Sequence, residues 1–222
     1  MKPRFIKISS PEPAVKYLAD TIKDHLKAGE HVLWLVSGGS AIAVEAAVAK
    51  ALADEPLEHL TVTLTDERPG PVGHPDSNWH QLAQAGFKLP GAKLVPVLTG
   101  AGTDVDAGAF SDVLAHELSA AGYHIGLFGI GPDGHTAGIP AKYPAPSYEP
   151  AMFYQIGDFE RISMTAASIE RLDEVVAYVM GDNKHNQLDR LTQDVPISEQ
   201  SAQALKQAPK LTVFNDYKGE TI

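Results

Sequence analysis

The chain has 222 residues, is 44% hydrophobic, carries a formal net charge of −10 and contains no cysteine. This composition suffices for a globular core, and the lack of cysteine excludes disulfides, thiol catalysis and cysteine–zinc sites. The negative charge argues against nucleic-acid binding, which needs a positive face. No apolar run approaches the roughly 18 residues of a membrane span, and the N-terminus shows no signal peptide. We therefore expect a cytoplasmic protein with no membrane partner.

Strands and helices are predicted to alternate along the chain. Ser10 and Pro11 are suited to begin a first helix, which ends at Gly29. Buried strands are predicted at 31–36, 60–64, 93–98, 123–128, 162–164, 174–180 and 211–214, and further helices at 41–52, 78–85, 104–120, 182–191 and 198–207. This alternation, with strands rich in Val, Ile and Leu, predicts an α/β fold: a mostly parallel sheet with helices on both faces. No repeat or linker interrupts it, so a single domain over residues 1–222 is expected.

The most informative motif is Gly129-Ile130-Gly131-Pro132-Asp133-Gly134-His135-Thr136-Ala137, directly after a predicted strand. Histidine exchanges protons near neutral pH, and Asp133 could fix the tautomer of His135. We reject the dinucleotide-binding interpretation, because Pro132 removes an N–H and Asp133 adds negative charge where a pyrophosphate would lie. A general-base site is favoured over a structural histidine. The loop predicted at 138–150, which includes Tyr143 and Tyr148, is expected to flank it.

Candidate anion-binding residues follow two other predicted strands. Ser37-Gly38-Gly39-Ser40 precedes a helix, and the backbone N–H groups of such a turn attract phosphate. The hydroxyls of Ser37 and Ser40 would add donors, although an ordinary strand–helix turn is the alternative. Lys184 is predicted in the first turn of a helix, where a lysine opposes the helix dipole, which hints at an anion. Arg161 is a weaker candidate of the same kind.

Thr65-Asp66-Glu67-Arg68 follows the strand at 60–64 and begins a loop predicted at 65–77. At the end of this loop, Asp76-Ser77-Asn78 are suited to cap the following helix. Asp66 and Glu67 could handle protons and Arg68 could bind an anion, whereas a solvated surface turn is the alternative. Five further histidines show no metal-ligand spacing, and these are His59, His74, His80, His116 and His185. No metal site is therefore predicted.

Together these motifs resemble a known family. Their order is Ser37-Gly38-Gly39-Ser40, Thr65-Asp66-Glu67-Arg68 with Ser77-Asn78, the 129–137 motif, Arg161-Ile162-Ser163-Met164-Thr165 and Gly181-Asp182-Asn183-Lys184. This order and spacing resemble the family of 6-phosphogluconolactonase and glucosamine-6-phosphate deaminase, from about residue 37 to 214. The resemblance implies a Rossmann-like fold with a sugar phosphate at the carboxyl ends of the strands. Ala41-Ile42 and Gly138-Ile139 depart from the family's usual residues.

The resemblance implies hydrolysis of 6-phosphogluconolactone in the pentose phosphate pathway. His135 would be the general base oriented by Asp133. Phosphate would be held by Ser37, Gly39, Ser40, Arg161 and Lys184, and either loop N–H groups or Arg68 would serve the oxyanion. No metal or organic cofactor is expected, and the only expected partner is a small sugar phosphate.

Two other functions stay open at this point. One is an amino-sugar-phosphate deaminase with Asp66 as its base, which is disfavoured because Pro140 stands where the deaminase pattern has glutamate and Arg68 where it has tyrosine. The other is a catalytically silent sugar-phosphate-binding module. Oligomeric state is not predicted.

Overall fold

The computed structural model describes residues 2–142 and 147–221. The strands in this part of the chain are β1 (Arg4–Lys7), β2 (Val32–Val36), β3 (Leu60–Leu64), β4 (Asp66–Glu67), β5 (Lys93–Leu94), β6 (Tyr123–Phe128), β7 (Ala151–Ile156), β8 (Phe159–Met164), β9 (Glu174–Val179), β10 (Lys210–Asn215) and β11 (Glu220–Thr221). Eight of them form one sheet in the order β11-β1-β10-β9-β6-β2-β3-β5, and all its pairs are parallel. The predicted mostly parallel sheet is confirmed.

The α-helices described are α1 (Glu12–Lys27), α2 (Ile42–Ala51), α3 (Asn78–Gln84), α4 (Thr103–Ala120), α5 (Ala166–Ile169) and α6 (His185–Leu191). From β2 the chain crosses through α2 to β3, towards the β5 edge, and it returns from β5 through α4 to β6 in the opposite direction. Since crossovers between parallel strands are nearly always right-handed, opposite directions place α2 and α4 on opposite faces of the sheet. The prediction of helices on both faces is confirmed.

The core explains why the central strands are continuous apolar runs. Every residue of β2 and β9 is buried, as expected for parallel strands covered on both faces. On α1 the buried Leu18 and Ile22 are four residues apart, so they share the face that packs towards α2 and the sheet. Burying each of these side chains contributes about 1.5–3 kcal/mol to stability. Among the described helices, none is both long enough and apolar enough to cross a membrane.

Three strands form a separate antiparallel sheet in the order β4-β8-β7, which the sequence did not predict. The prediction that 65–77 is entirely loop is wrong, because Asp66 and Glu67 pair with Ser163 and Ile162 of β8. The strand predicted at 162–164 is longer and belongs to this sheet. Partly polar strands such as β7 give a weak periodic signal, and only their pairing identifies them.

Several element boundaries also differ from the prediction. Helix α1 begins at Glu12 and has no side-chain cap, so Ser10 does not cap it. The strand predicted at 93–98 ends at Leu94, and Pro96 beyond it has no N–H to donate to a ladder. The predicted helix at 198–207 is a 3₁₀ helix over Ser201–Gln207. In the predicted loop at 138–150, Tyr148 is exposed, and Tyr143 lies outside the described residues.

Candidate active site

A polar cleft of about 210 Å³ lies at the carboxyl ends of the central strands. Its wall takes residues from the turns that follow β2, β4, β6 and β9, together with β4, β8 and the start of α3. Of the predicted site residues, all except Asp133 and Glu67 line it. The lining is Ser37, Gly38, Gly39, Ser40, Asp66, Arg68, Asn78, Gly129, Ile130, Gly131, Pro132, His135, Ala137, Arg161 and Lys184. The fold therefore brings together predicted residues that lie almost 150 positions apart in the chain.

The turn after β6 holds His135 against Asp133. Asp133 Oδ1 lies 2.7 Å from His135 Nδ1 and also accepts the backbone N–H of His135 at 3.1 Å. Because a carboxylate only accepts, Nδ1 carries the proton and Nε2 of the neutral ring keeps its lone pair. Burial raises the pKa of Asp133, but the hydrogen bonds and charge of His135 outweigh this and hold the pKa below its usual range. The pair thus has the geometry of an oriented base.

Gly131 is required by this arrangement. A Cβ at Gly131 would lie 2.2 Å from His135 Nδ1 and 2.8 Å from Asp133 Oδ1, so any other residue would displace the pair. The backbone of Gly131 closes the turn, donating to His135 O at 2.9 Å and accepting from Gly134 N at 3.0 Å. The glycines noticed in the sequence therefore serve close packing inside the turn itself.

Asp66 and two arginines face one another across the cleft. Arg161 Nε lies 3.8 Å from Asp66 Oδ2, and the Arg161 guanidinium sits 4.7 Å from the Phe159 ring centre. Burial raises the pKa of Asp66, while the charges of Arg68 and Arg161 partly oppose this shift. Arg68 donates from Nη1 to Asp76 O at 2.8 Å, yet its buried Nε–H has no partner in the described structure. Arg68 lines the cleft, so its guanidinium is placed to attract an anionic ligand there.

Glu67 turns away from the cleft. Successive side chains of a strand point to opposite sides, so Asp66 faces the cleft while Glu67 faces the start of α3. There its carboxylate accepts from the N–H groups of Asn78 (2.7 Å) and Trp79 (3.1 Å) and from the Ser77 hydroxyl (2.8 Å). These bonds cap the first turn of α3. The geometry favours a structural role for Glu67 over the predicted direct part in catalysis.

The turn after β2 forms part of the cleft wall. Gly39 has a φ of +66°, which glycine adopts without strain, and a Cβ at Gly38 would lie 1.9 Å from Asn78 Oδ1. Ser37 departs from its predicted role as a hydroxyl donor, because it is buried and its hydroxyl donates to Leu127 O. Its N–H donates to Glu45 Oε1 at 2.6 Å. Gly38, Gly39 and Ser40 line the cleft, so their amides and the Ser40 hydroxyl stay as the predicted anion donors of this turn.

Lys184 reaches the cleft from beyond β9. It ends a 3₁₀ turn, Asp182–Lys184, and α6 begins after it, so it does not lie in the first turn of an α-helix as predicted. Burial lowers the pKa of its ammonium, and the charge of Asp216 partly opposes this. A half-buried ammonium at the cleft wall is suited to a phosphate.

Sequence reasoning missed Asn78 as a cleft residue and treated it as part of a helix cap. Its Nδ2 donates to Asp66 O at 2.8 Å, while its buried Oδ1 has no partner in the described structure. The cap prediction itself is confirmed for Ser77, whose hydroxyl accepts from His80 N. The only sequence signal was the position of Ser77-Asn78 after the acidic motif.

One group of possible metal ligands exists among the described residues. Asp182, His185 and Asp216 place one ligand atom each within 4.8 Å of the others, a set that sequence spacing did not reveal. His185 Nε2 already hydrogen-bonds Asp216 Oδ1 at 3.0 Å, and Asp182 is exposed. The hydrogen bond to Asp216 is enough to explain the position of the His185 side chain. The absence of a metal site stays a prediction.

The carboxyl end of this α/β sheet carries a glycine turn, an Asp–His pair and three cationic side chains. This is an arrangement suited to a protein that binds small anions. The chain belongs to the family described as glucosamine-6-phosphate isomerases/6-phosphogluconolactonase, whose model matches residues 10–214. It is 28% identical to a 6-phosphogluconolactonase of Pseudomonas aeruginosa over 70% of this chain and 71% of that protein. It is also 28% identical to one of Neisseria meningitidis, over 81% of this chain and 84% of that protein.

Solved structures show the same fold. A 6-phosphogluconolactonase from Thermotoga maritima superposes with a TM-score of 0.81 at 20% identity, covering 96% of this chain and 98% of that one. A monomeric glucosamine-6-phosphate deaminase superposes with a TM-score of 0.78 at 16% identity, covering 96% of each chain. Because both kinds of enzyme share the fold, only the residues of the site can separate them.

Proposed function

We propose that this protein hydrolyses 6-phosphogluconolactone to 6-phosphogluconate, as a step of the pentose phosphate pathway. The observation that carries the proposal is the oriented His135–Asp133 pair at one cleft with Arg68, Arg161 and Lys184. That combination supplies a proton acceptor and an anion site together, as an ester bearing a phosphate requires. The relatives named 6-phosphogluconolactonase support the same choice.

In this proposal a water molecule attacks the lactone carbonyl while His135 Nε2 takes its proton. Asp133 holds the Nδ1–H and stabilises the imidazolium that forms. The ring C–O bond then breaks, and the imidazolium returns the proton to the departing ring oxygen. The lactone carbonyl is already electrophilic, so the step needs neither a metal nor an organic cofactor.

The phosphate is assigned to the amides of Gly38, Gly39 and Ser40 and to the side chains of Arg161 and Lys184. This anchor lies away from the reacting bond and fixes the lactone relative to His135. The guanidinium of Arg68, which lines the cleft, is the donor we assign to the developing oxyanion.

We also propose that residues 1–222 form one sugar-phosphate-binding domain. The buried apolar residues of 2–142 and 147–221 form one core cluster, which supports this. A place in the cytoplasm stays a prediction.

The test is acid release from freshly prepared 6-phosphogluconolactone, measured against its spontaneous hydrolysis. We expect clear enzyme-dependent acceleration and no ammonia from glucosamine 6-phosphate. Deamination requires further proton handling, and Pro140 offers no titratable group where the deaminase pattern has glutamate. Enzyme-dependent ammonia release would instead assign the proton transfer to Asp66. Tight binding of 6-phosphogluconate with neither activity would identify a silent binding module.

A further inference from the structure

Three buried glutamines form a hydrogen-bonded chain behind the catalytic turn. Gln187 lies on α6, Gln200 precedes the 3₁₀ helix Ser201–Gln207, and Gln203 lies within that helix; all three are at least nine-tenths buried. Gln203 Nε2 donates to Gln200 Oε1 at 2.6 Å, and Gln200 Nε2 donates to Gln187 Oε1 at 3.0 Å. Glutamine is mostly exposed in folded proteins, so a buried chain of three calls for an explanation.

The row of hydrogen-bonded glutamines ends at the turn that carries the Asp–His pair. Gln187 Nε2 donates to Pro132 O at 2.9 Å, and a Cβ at Gly134 would lie 2.8 Å from Gln187 Oε1. Proline has no N–H, so the carbonyl of Pro132 is its only backbone group able to hold a partner. The amide of Gln187 therefore packs against the turn at Pro132 and at Gly134, the residues on either side of Asp133.

Gln187 also stands three residues after Lys184. One short segment thus presents an ammonium to the cleft and an amide to the catalytic turn. The orientation of the amide is set, because its amino group meets a carbonyl oxygen while its oxygen meets the amino group of Gln200. A rigid connection of this kind fixes the distance between an anchor for the substrate and the base that acts on it.

We propose that Gln187 is a positioning residue that sets His135 relative to the phosphate anchor at Lys184. The proposal rests on the proposed lactonase function. A substrate held by its phosphate cannot follow a base that moves, whereas an unanchored substrate can shift with it. Loss of the Gln187 amide should therefore affect a phosphorylated lactone more than gluconolactone itself.

The experiment compares Gln187→Met with Gln203→Met as the matched control. Both substitutions remove a buried amide from the same row of hydrogen-bonded glutamines, but of the two residues only Gln187 contacts the turn of His135. For Gln187→Met we expect kcat on 6-phosphogluconolactone to fall about 10- to 100-fold, the cost of a misplacement of about 1 Å. We expect kcat on gluconolactone, and the Kd for 6-phosphogluconate, to change by less than about threefold, because the anion donors themselves are unchanged.

Gln203→Met should lose thermal stability but keep kcat on both lactones within about twofold of the wild type. Equal losses on both lactones in Gln187→Met, or kinetics matching those of Gln203→Met, would overturn the proposal. If Gln187→Met does not fold, Gln187→Asn replaces it, since the amide then falls one methylene short of Pro132 and remains uncharged.

A second readout does not depend on turnover. The Cε1–H NMR signal of His135, identified by its loss in His135→Ala, should shift in Gln187→Met and remain in place in Gln203→Met. An unmoved signal in both variants refutes the positioning role. A wild-type protein without lactone turnover would refute the proposed function alone, and the signal would still decide the role of Gln187.

Discussion

Replacing His135 with alanine should lower kcat/KM for 6-phosphogluconolactone by about 10²- to 10⁴-fold, the usual contribution of a general base. At 1.36 kcal/mol per tenfold, this corresponds to about 3–5 kcal/mol of activation free energy. The fold should survive, because the turn is closed by backbone bonds between Gly131 and residues 134 and 135. The lost side-chain bond to Asp133 is partly exposed, so its removal should cost at most about 1 kcal/mol of unfolding free energy.

The assay follows acid release by a pH indicator at several substrate concentrations, with spontaneous hydrolysis subtracted. His116→Ala is the matched control, because His116 is exposed on α4 and absent from the cleft lining. Asp133→Asn should fall between the wild type and His135→Ala, since an amide can hold the ring but cannot balance the charge of the imidazolium. A folded His135→Ala protein with near-wild-type turnover would refute the assignment of His135 as base.

The remaining predictions concern the anion site, metals and one buried acid. Lys184→Ala should weaken 6-phosphogluconate binding by about 10- to 100-fold in titration calorimetry, with little effect on gluconolactone, because a charge-assisted contact is lost; unchanged affinity would make Lys184 a surface residue. Activity should persist after exhaustive chelation, and a loss restored by zinc or magnesium would contradict the metal-free mechanism and direct attention to Asp182, His185 and Asp216. Burial raises the pKa of Glu45 well above its usual range, opposed by its bond to Ser37 N–H. As pH rises above about 4.3, the unfolded chain therefore releases this proton while the folded protein retains it, and stability falls. The unfolding free energy of Glu45→Gln minus that of the wild type, both measured by urea denaturation, should consequently increase from pH 5 to pH 8. If this difference stays constant, Glu45 ionises normally.

Much of this protein follows from local sequence. Continuous apolar runs such as 123–128 and 174–180 predict buried parallel strands, because a strand covered on both faces needs no polar alternation. The glycines around Asp133 and His135 predict a tight turn, because glycine alone tolerates such close packing. Asp133 and His135 are only two positions apart in the sequence, so the contact between their side chains depends on little beyond that turn. Short-range signals of this kind were enough to predict the alternating fold and the candidate base.

Only the tertiary structure decided which polar groups share the cleft and which support it. Successive side chains of β4 point to opposite sides, so Asp66 faces the cleft and Glu67 faces the start of α3. The sequence alone does not distinguish these two acids, because their directions are fixed only when β4 pairs with β8. Asn78 enters the lining because α3 lies beside the turn at Gly38. The partner of a polar side chain depends on segments that folding brings together, whereas periodicity and turn chemistry act within a few residues of one segment.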